Sequence, residues 1–197
     1  MIRSALFAGA LLVGAASAAP AFAVDPACLW NAMPSDQRTR ATAAVQADGP
    51  RALTRGLFER NALGRAALAC GATTQTARTA GGALGTYVLE RATAEQLERD
   101  YGVQPVRLEA AWNALSASDR RTLLAWAGTI GRGGDQTAAQ QVVARMVVSL
   151  GLPGMREPGF RNSPQLRAAA GHFTGRAMRI ALANGATIPP AAGGKAG

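Results

Sequence analysis

The chain has 197 residues, 48% of them hydrophobic and 17% charged, and carries 21 basic residues against 12 acidic ones for a net charge of +9. That length fits one domain. A single histidine and two cysteines leave too few ligands for a zinc-type metal site, and the scattered charge excludes a basic or acidic tail.

Residues 1–23 read as a secretory signal peptide. Arg3 supplies the positive start, Ala5 to Val13 form a short apolar run, and Ala21-Phe22-Ala23 is a small-x-small cleavage site. Ala16-Ser17-Ala18 is a second cleavage candidate. The apolar run is shorter than the roughly 20 residues a membrane-spanning helix needs. Cys28 follows Asp25-Pro26-Ala27 and lacks the aliphatic neighbour of a lipidated cysteine. Cleavage near Ala23 predicts a mature chain that starts at Val24 and works in the periplasm or outside the cell. Losing Arg3 lowers its net charge from +9 to +8.

An exported chain meets an oxidising compartment. Cys28 and Cys70 are the only pair available, so they are expected to form a disulfide rather than remain buried free thiols. Lys195 is the only lysine, and the remaining basic residues are arginines. A basic exported surface attracts anionic envelope components, and export removes nucleic acid as a partner. Arginine can equally serve to solubilise an Ala- and Gly-rich chain.

The mature chain reads as helix throughout, with no alternating β-branched and aromatic run. Asp25-Pro26 opens the first helix. Ser35 is expected to cap a second helix that Gly49 ends. Pro50 opens a third, reaching Cys70, and Gly71 stops it. A fourth runs from Thr74 to Arg91. Thr93 with Gln96 forms a capping box for a short fifth helix to Tyr101, with Glu95 and Arg99 as an i,i+4 pair. Pro105 opens the next, to Leu115. Ser118 is expected to cap a helix bearing Leu123, Trp126, Ala127 and Ile130. "GRGG" at 131–134 breaks it. Asp135 caps a helix with the stripe Val142, Val143, Met146 and Leu150, which Gly151 ends. Ser163-Pro164 opens the last helix, terminated by Gly185. Residues 186–197 read as a disordered tail.

Two phrases repeat. "WNAMPSDQRT" at 30–39 aligns with "WNALSASDRRT" at 112–122 after one insertion, and Ala80-Gly81 with Gly85 recurs as Ala170-Gly171 with Gly175. The order of elements around them matches too. The expectation is an all-α domain over 24–185, of about eight helices, built from two similar four-helix halves, 25–102 and 104–185. The glycine-bearing helices are expected to cross near a pseudo-twofold axis.

Chemistry is sparse. His172 reads as a space-filling or polar-contact histidine before a catalytic or haem-binding one. The "GRGGD" segment lacks the spacing and lysine of a phosphate-binding loop. Glu59, Glu90, Glu109 and Asp119 stand singly among arginines and read as solvated partners. The segment 151–163, "GLPGMREPGFRNS", is extra in the second half and carries Met155, Arg156, Glu157, Phe160 and Arg161. Arginine beside an exposed aromatic suits a binding loop, although Phe160 could instead fold onto the core. Neither a cofactor motif nor a catalytic motif appears. The expected function is an exported, non-enzymatic module that binds a protein or an anionic envelope component. The alternatives are a small envelope-glycan hydrolase or lyase with Glu157 or Glu59 as acid, and a carrier of an apolar ligand between the halves.

Overall fold

The computed structural model describes residues 24–129, 136–155, 159–160 and 163–186. Among these the fold is all-α, with eight α-helices, one 3₁₀ segment and no strand. The expected signal peptide, the "GRGG" break, the expected Asp135 cap and the tail beyond Ala186 lie outside the described residues.

Helix α1 (Pro26–Ala32) starts as its sequence dictates. The Asp25 carboxylate accepts the Ala27 N–H at 3.0 Å, and Pro26 occupies the first turn, where its missing N–H costs nothing. Helix α2 (Ser35–Asp48) begins one residue earlier than expected: Ser35 is its first helical residue and Pro34 stands at the cap. Gly49 ends it at φ +59°. The helix expected from Pro50 to Cys70 is split. A 3₁₀ segment (Gly49–Arg55) stops at Gly56, φ +77°, and α3 (Arg60–Ala69) follows. The i→i+3 geometry is poorer than the α-helical one, which keeps such runs short.

The largest departure is α4 (Thr74–Tyr101), one continuous helix where two were expected. The Thr93 hydroxyl makes no cap. It donates back to the Leu89 carbonyl at 2.5 Å, satisfying itself inside the helix. With no Gly or Pro between Arg91 and Gln96, nothing interrupts the backbone ladder. Glu95 pairs with Arg91 at 2.7 Å rather than with Arg99, which holds Asp100. Gly102, φ +67°, ends the helix in a left-handed cap, with Val103 N–H bonded to the Leu97 carbonyl.

Helix α5 (Pro105–Asn113) buries Leu108, Ala111 and Trp112. Helix α6 (Ala117–Ala127) is capped by Ser116, which accepts the Asp119 N–H, so Ser118 falls inside it. Helix α7 (Thr137–Ser149) buries the expected stripe of Val142, Val143 and Met146, and Leu150 follows it inward. An Arg107 Nη2–H group donates to the Leu150 carbonyl at that helix end. Helix α8 (Pro164–Ala183) starts on the Ser163 cap, as expected.

Helices α4 and α8 share the most extensive interface. Gly175 permits it: a Cβ there would lie 2.7 Å from the Glu90 backbone nitrogen. Gly171 faces Thr93 and Leu89. Their first-half counterparts do not face α8. A Cβ on Gly81 would meet Leu63 at 3.1 Å, and one on Gly85 would meet Leu53 at 3.2 Å. Two apolar cores flank this pair. The first draws on residues from Val24 to Ala92, including Leu29, Trp30, Val45, Leu84 and Leu89. The second draws on Leu97 to Ala181, including Trp112, Leu123, Met146 and Phe173. Leu53 touches both.

Cys28 and Cys70 form the expected disulfide, with their Cα atoms 6.0 Å apart. It ties α1 to the end of α3. Among the described residues, no helix is long and apolar enough to cross a membrane.

Candidate functional site

A cleft of about 430 Å³ opens where the start of α1 meets α4, α5 and α8. Helical periodicity builds its walls. Tyr87, Glu90, Arg91 and Ala94 recur at the i, i+3, i+4, i+7 spacing that puts them on one face of α4. Pro105, Leu108 and Glu109 do the same on α5, and His172 and Arg179 on α8. Asp25 and Pro26 complete it from α1.

Two bidentate ion pairs shape this cleft. The Arg179 guanidinium donates to both Glu90 oxygens, at 2.5 and 3.1 Å. The Arg176 guanidinium holds both oxygens of Glu109, one at 2.8 Å. Arg176 is itself stacked over the Trp112 ring, 4.9 Å from its centroid, and its side chain is only 13% exposed. A planar guanidinium is suited to such a site, because it can pair edge-on and stack face-on together. The Arg176 pair holds the Glu109 carboxyl below the usual carboxylate range, against an opposing effect of burial. The Glu90 pair raises the Arg179 guanidinium further above its ordinary value.

His172 is 4% exposed. Its Nδ1 lies 3.0 Å from the Glu90 carbonyl oxygen, which can only accept, so Nδ1 carries the proton. Burial pushes the imidazole pKa down, outweighing that hydrogen bond. The neutral ring therefore leaves Nε2 as a lone-pair acceptor, and Nε2 is buried with no partner among the described residues. One turn along α8, Arg176 Nε is in the same condition. An unpaired buried polar atom costs about 1–3 kcal/mol. Outside the cleft lining, Arg120 Nε and Trp126 Nε1 are in the same condition among the described residues.

Glu90 links these features. Its carboxylate pairs with Arg179, its carbonyl accepts from His172, and its backbone nitrogen is where Gly175 makes the close approach. Its side chain is 16% exposed, so the reading of Glu90 as a solvated partner is corrected. Helical spacing marked its face. The repeated glycines marked α8 as a helix that crosses α4, but not that the crossing falls at the Glu90 face.

The expected binding loop is elsewhere. Met155 and Phe160 are half-buried and pack against the second core, while Arg156, Glu157 and Arg161 lie outside the described residues. Glu59, the other candidate acid, is exposed and paired with Arg40 at 3.1 Å. Asp119 pairs with Arg145 at 2.5 Å.

Both cleft-wall glutamates are held by arginines: Glu109 by Arg176, which keeps its carboxyl below the usual range, and Glu90 by Arg179. Among the described residues, no group of three or more His, Cys, Asp or Glu is placed to hold a metal ion. What the arrangement can do is bind: paired hydrogen-bonding edges and the apolar Pro26, Ala94, Pro105 and Leu108 line the same cleft. No family model, curated protein or solved structure matches this chain.

Proposed function

We propose that this chain is an exported, non-enzymatic binding module whose ligand seat is the cleft between α4, α5 and α8. The observation that carries this reading is the cleft itself, whose polar side chains Glu90 and Glu109 are each held in a bidentate pair with an arginine beside apolar lining residues. Export is supported by the leader-like residues 1–23 and fits the Cys28–Cys70 disulfide. In this reading the protein works in the periplasm or outside the cell, against an envelope component. The insertion at 151–163 is then an accessory surface, because its Phe160 leans on the core.

The chain also reads as an internal duplication of 25–102 and 104–185. The repeated Trp phrase supports it, and both Trp30 and Trp112 are buried ahead of the next helix. The glycines have diverged in role, since only Gly171 and Gly175 face the other central helix.

The test of the binding seat is a ligand screen by thermal shift on residues 24–197. A ligand that raises Tm should lose its effect in Ala94→Phe, which fills the cleft from α4, and keep it in Phe160→Ala with Arg161→Ala. The opposite pattern would move the binding surface to the loop.

A further inference from the structure

The charges of the cleft cancel within the protein. Glu90 is matched by Arg179, Glu109 by Arg176, and Arg91 by Glu95. Asp25 alone among the lining groups has no cation partner among the described residues, and its Oδ1 is used on the Ala27 N–H. An anionic ligand that takes over those bidentate edges displaces a carboxylate, and one that uses the remaining N–H groups lies beside that carboxylate's charge. A cationic one faces the reverse. Breaking a hydrogen-bonded pair of that kind is unfavourable, because the partner left behind is partly buried and uncompensated. An uncharged ligand meets no such barrier.

The paired edges nevertheless remain rich in hydrogen-bonding capacity. Each carboxylate oxygen has a second lone pair, and each guanidinium keeps N–H groups beyond the two its partner uses. Donors and acceptors therefore stand side by side at fixed spacing. Adjacent hydroxyls on a ring present the same alternation, since each hydroxyl both donates and accepts. Pro26, Ala94, Pro105 and Leu108 supply an apolar surface, and the Tyr87 ring stands beside it. Such a surface suits the C–H face of a sugar ring. A volume of about 430 Å³ lies in the range of small-ligand sites and admits a ligand of about one or two rings.

We propose that the cleft binds an uncharged saccharide, a short neutral stretch of a glycan. This rests on the cleft being the ligand seat. It refines the expectation of an anionic partner, which the basic net charge alone would favour. Glu109, held ionised by Arg176, serves in this proposal as a hydrogen-bond acceptor for a sugar hydroxyl. His172 lines the cleft wall but offers the sugar no exposed hydrogen-bonding atom. Its Nε2 is sealed beneath the surface, and the ring positions Glu90 through the carbonyl contact.

The experiment is an NMR titration of residues 24–197 with maltose, cellobiose and diacetylchitobiose as neutral probes, digalacturonate as the anionic probe, and p-cresol as an apolar ring. Signals of Tyr87 and Ala94 report on the cleft. The expected result is saturable shifts with at least one neutral disaccharide, and affinity for it at least about tenfold above that for digalacturonate. Ala94→Phe should abolish those shifts. Glu109→Gln, an isosteric change on a side chain 54% exposed, keeps the fold and frees the Arg176 charge. It should weaken the neutral sugar and strengthen digalacturonate. Tighter binding of digalacturonate or p-cresol at the same signals by the unaltered protein would overturn the saccharide while keeping the cleft as ligand seat. Absence of cleft shifts with every one of these probes would overturn both.

Discussion

The two cores are stabilised by different means. In the first, eight of the sixteen buried residues are alanine. In the second, seven of twenty are, and the rest include Phe173, Met146, Met178 and Trp112. An alanine side chain removes little apolar surface from water, at about 0.8 kcal/mol per buried CH₂. The first core carries the disulfide, and the second has no covalent tie. The difference teaches where each half's stability resides. A core of small side chains lets helices approach closely but leaves them weakly held, and a crosslink from α1 to the end of α3 compensates by restricting the unfolded chain.

The sharpest way to break that comparison is to attack each half at its own support. Replacing both cysteines by serine removes a link between residues 42 apart and should lower stability by about 4 kcal/mol in the chain-entropy treatment. Phe173→Ala, at a fully buried ring, should cost about 3–5 kcal/mol through lost burial and a cavity. Urea unfolding measures both. If hydrogen exchange shows that the cysteine change loosens 26–69 first and Phe173→Ala loosens α6 to α8 first, the division of labour holds. Equal loosening everywhere would show one undivided core.

The glycine pairs sharpen it further. Gly175→Ala drives a methyl into the Glu90 backbone, which cannot move without shifting α4, and should destabilise by about 1–3 kcal/mol. Gly85→Ala meets only the tip of Leu53, a flexible side chain. The helix-propensity gain of up to about 1 kcal/mol then offsets most or all of the crowding. Thermal unfolding of the two variants should separate them clearly. Matching losses would mean that both glycines hold helix crossings of the same kind.

These positions also show what the sequence could and could not reveal. The caps at Asp25 and Ser163, the stop at Gly49 and the stripe on α7 were legible because they depend on neighbours a few residues away. Thr93 misled because a threonine can cap a helix or bond back into one, and the choice depends on whether its surroundings are buried. Ser118 misled because Ser116, two residues earlier, also had an amide within reach. The cleft was half legible. The spacing of Tyr87, Glu90, Arg91 and Ala94 defines a face, but the pairing of Glu90 with Arg179 spans 89 residues and exists only once α4 and α8 meet. The loop at 151–163 drew attention by composition, and composition does not reveal that Phe160 packs inward.

Phe160 gives a smaller effect. A half-buried ring against the second core should cost about 1–2 kcal/mol on change to alanine. That is less than Phe173→Ala in the same core. No loss of Tm would return Phe160 to the solvent and restore the loop as a binding surface.

The smallest effect is that of pH on the seam between α4 and α8. Burial lowers the pKa of His172 in the folded protein, while the unfolded chain keeps a value near about 6.5. Above that value both states are neutral at this site, and His172 contributes no pH dependence. As pH falls through it, the unfolded chain takes up a proton that the folded chain refuses, so stability declines. The slope for one proton is at most about 1.4 kcal/mol per pH unit. The decline stops below the folded pKa, where both states are protonated. Glu109 acts in a separate, more acidic window. Its folded pKa is depressed, so its stabilisation is lost as pH falls from the usual carboxylate range toward that lower value. Urea unfolding between pH 8 and pH 5, on the protein and on His172→Asn, isolates the histidine. The variant should be less stable at pH 8, having lost the contact to Glu90, and its stability should stay flatter between pH 7 and pH 5. Parallel curves would show that His172 titrates as freely in the folded protein as in the unfolded chain. It would then be no buried wedge beneath the cleft, and the seam of α4 and α8 would be open to water at the point where Gly175 brings the two backbones together.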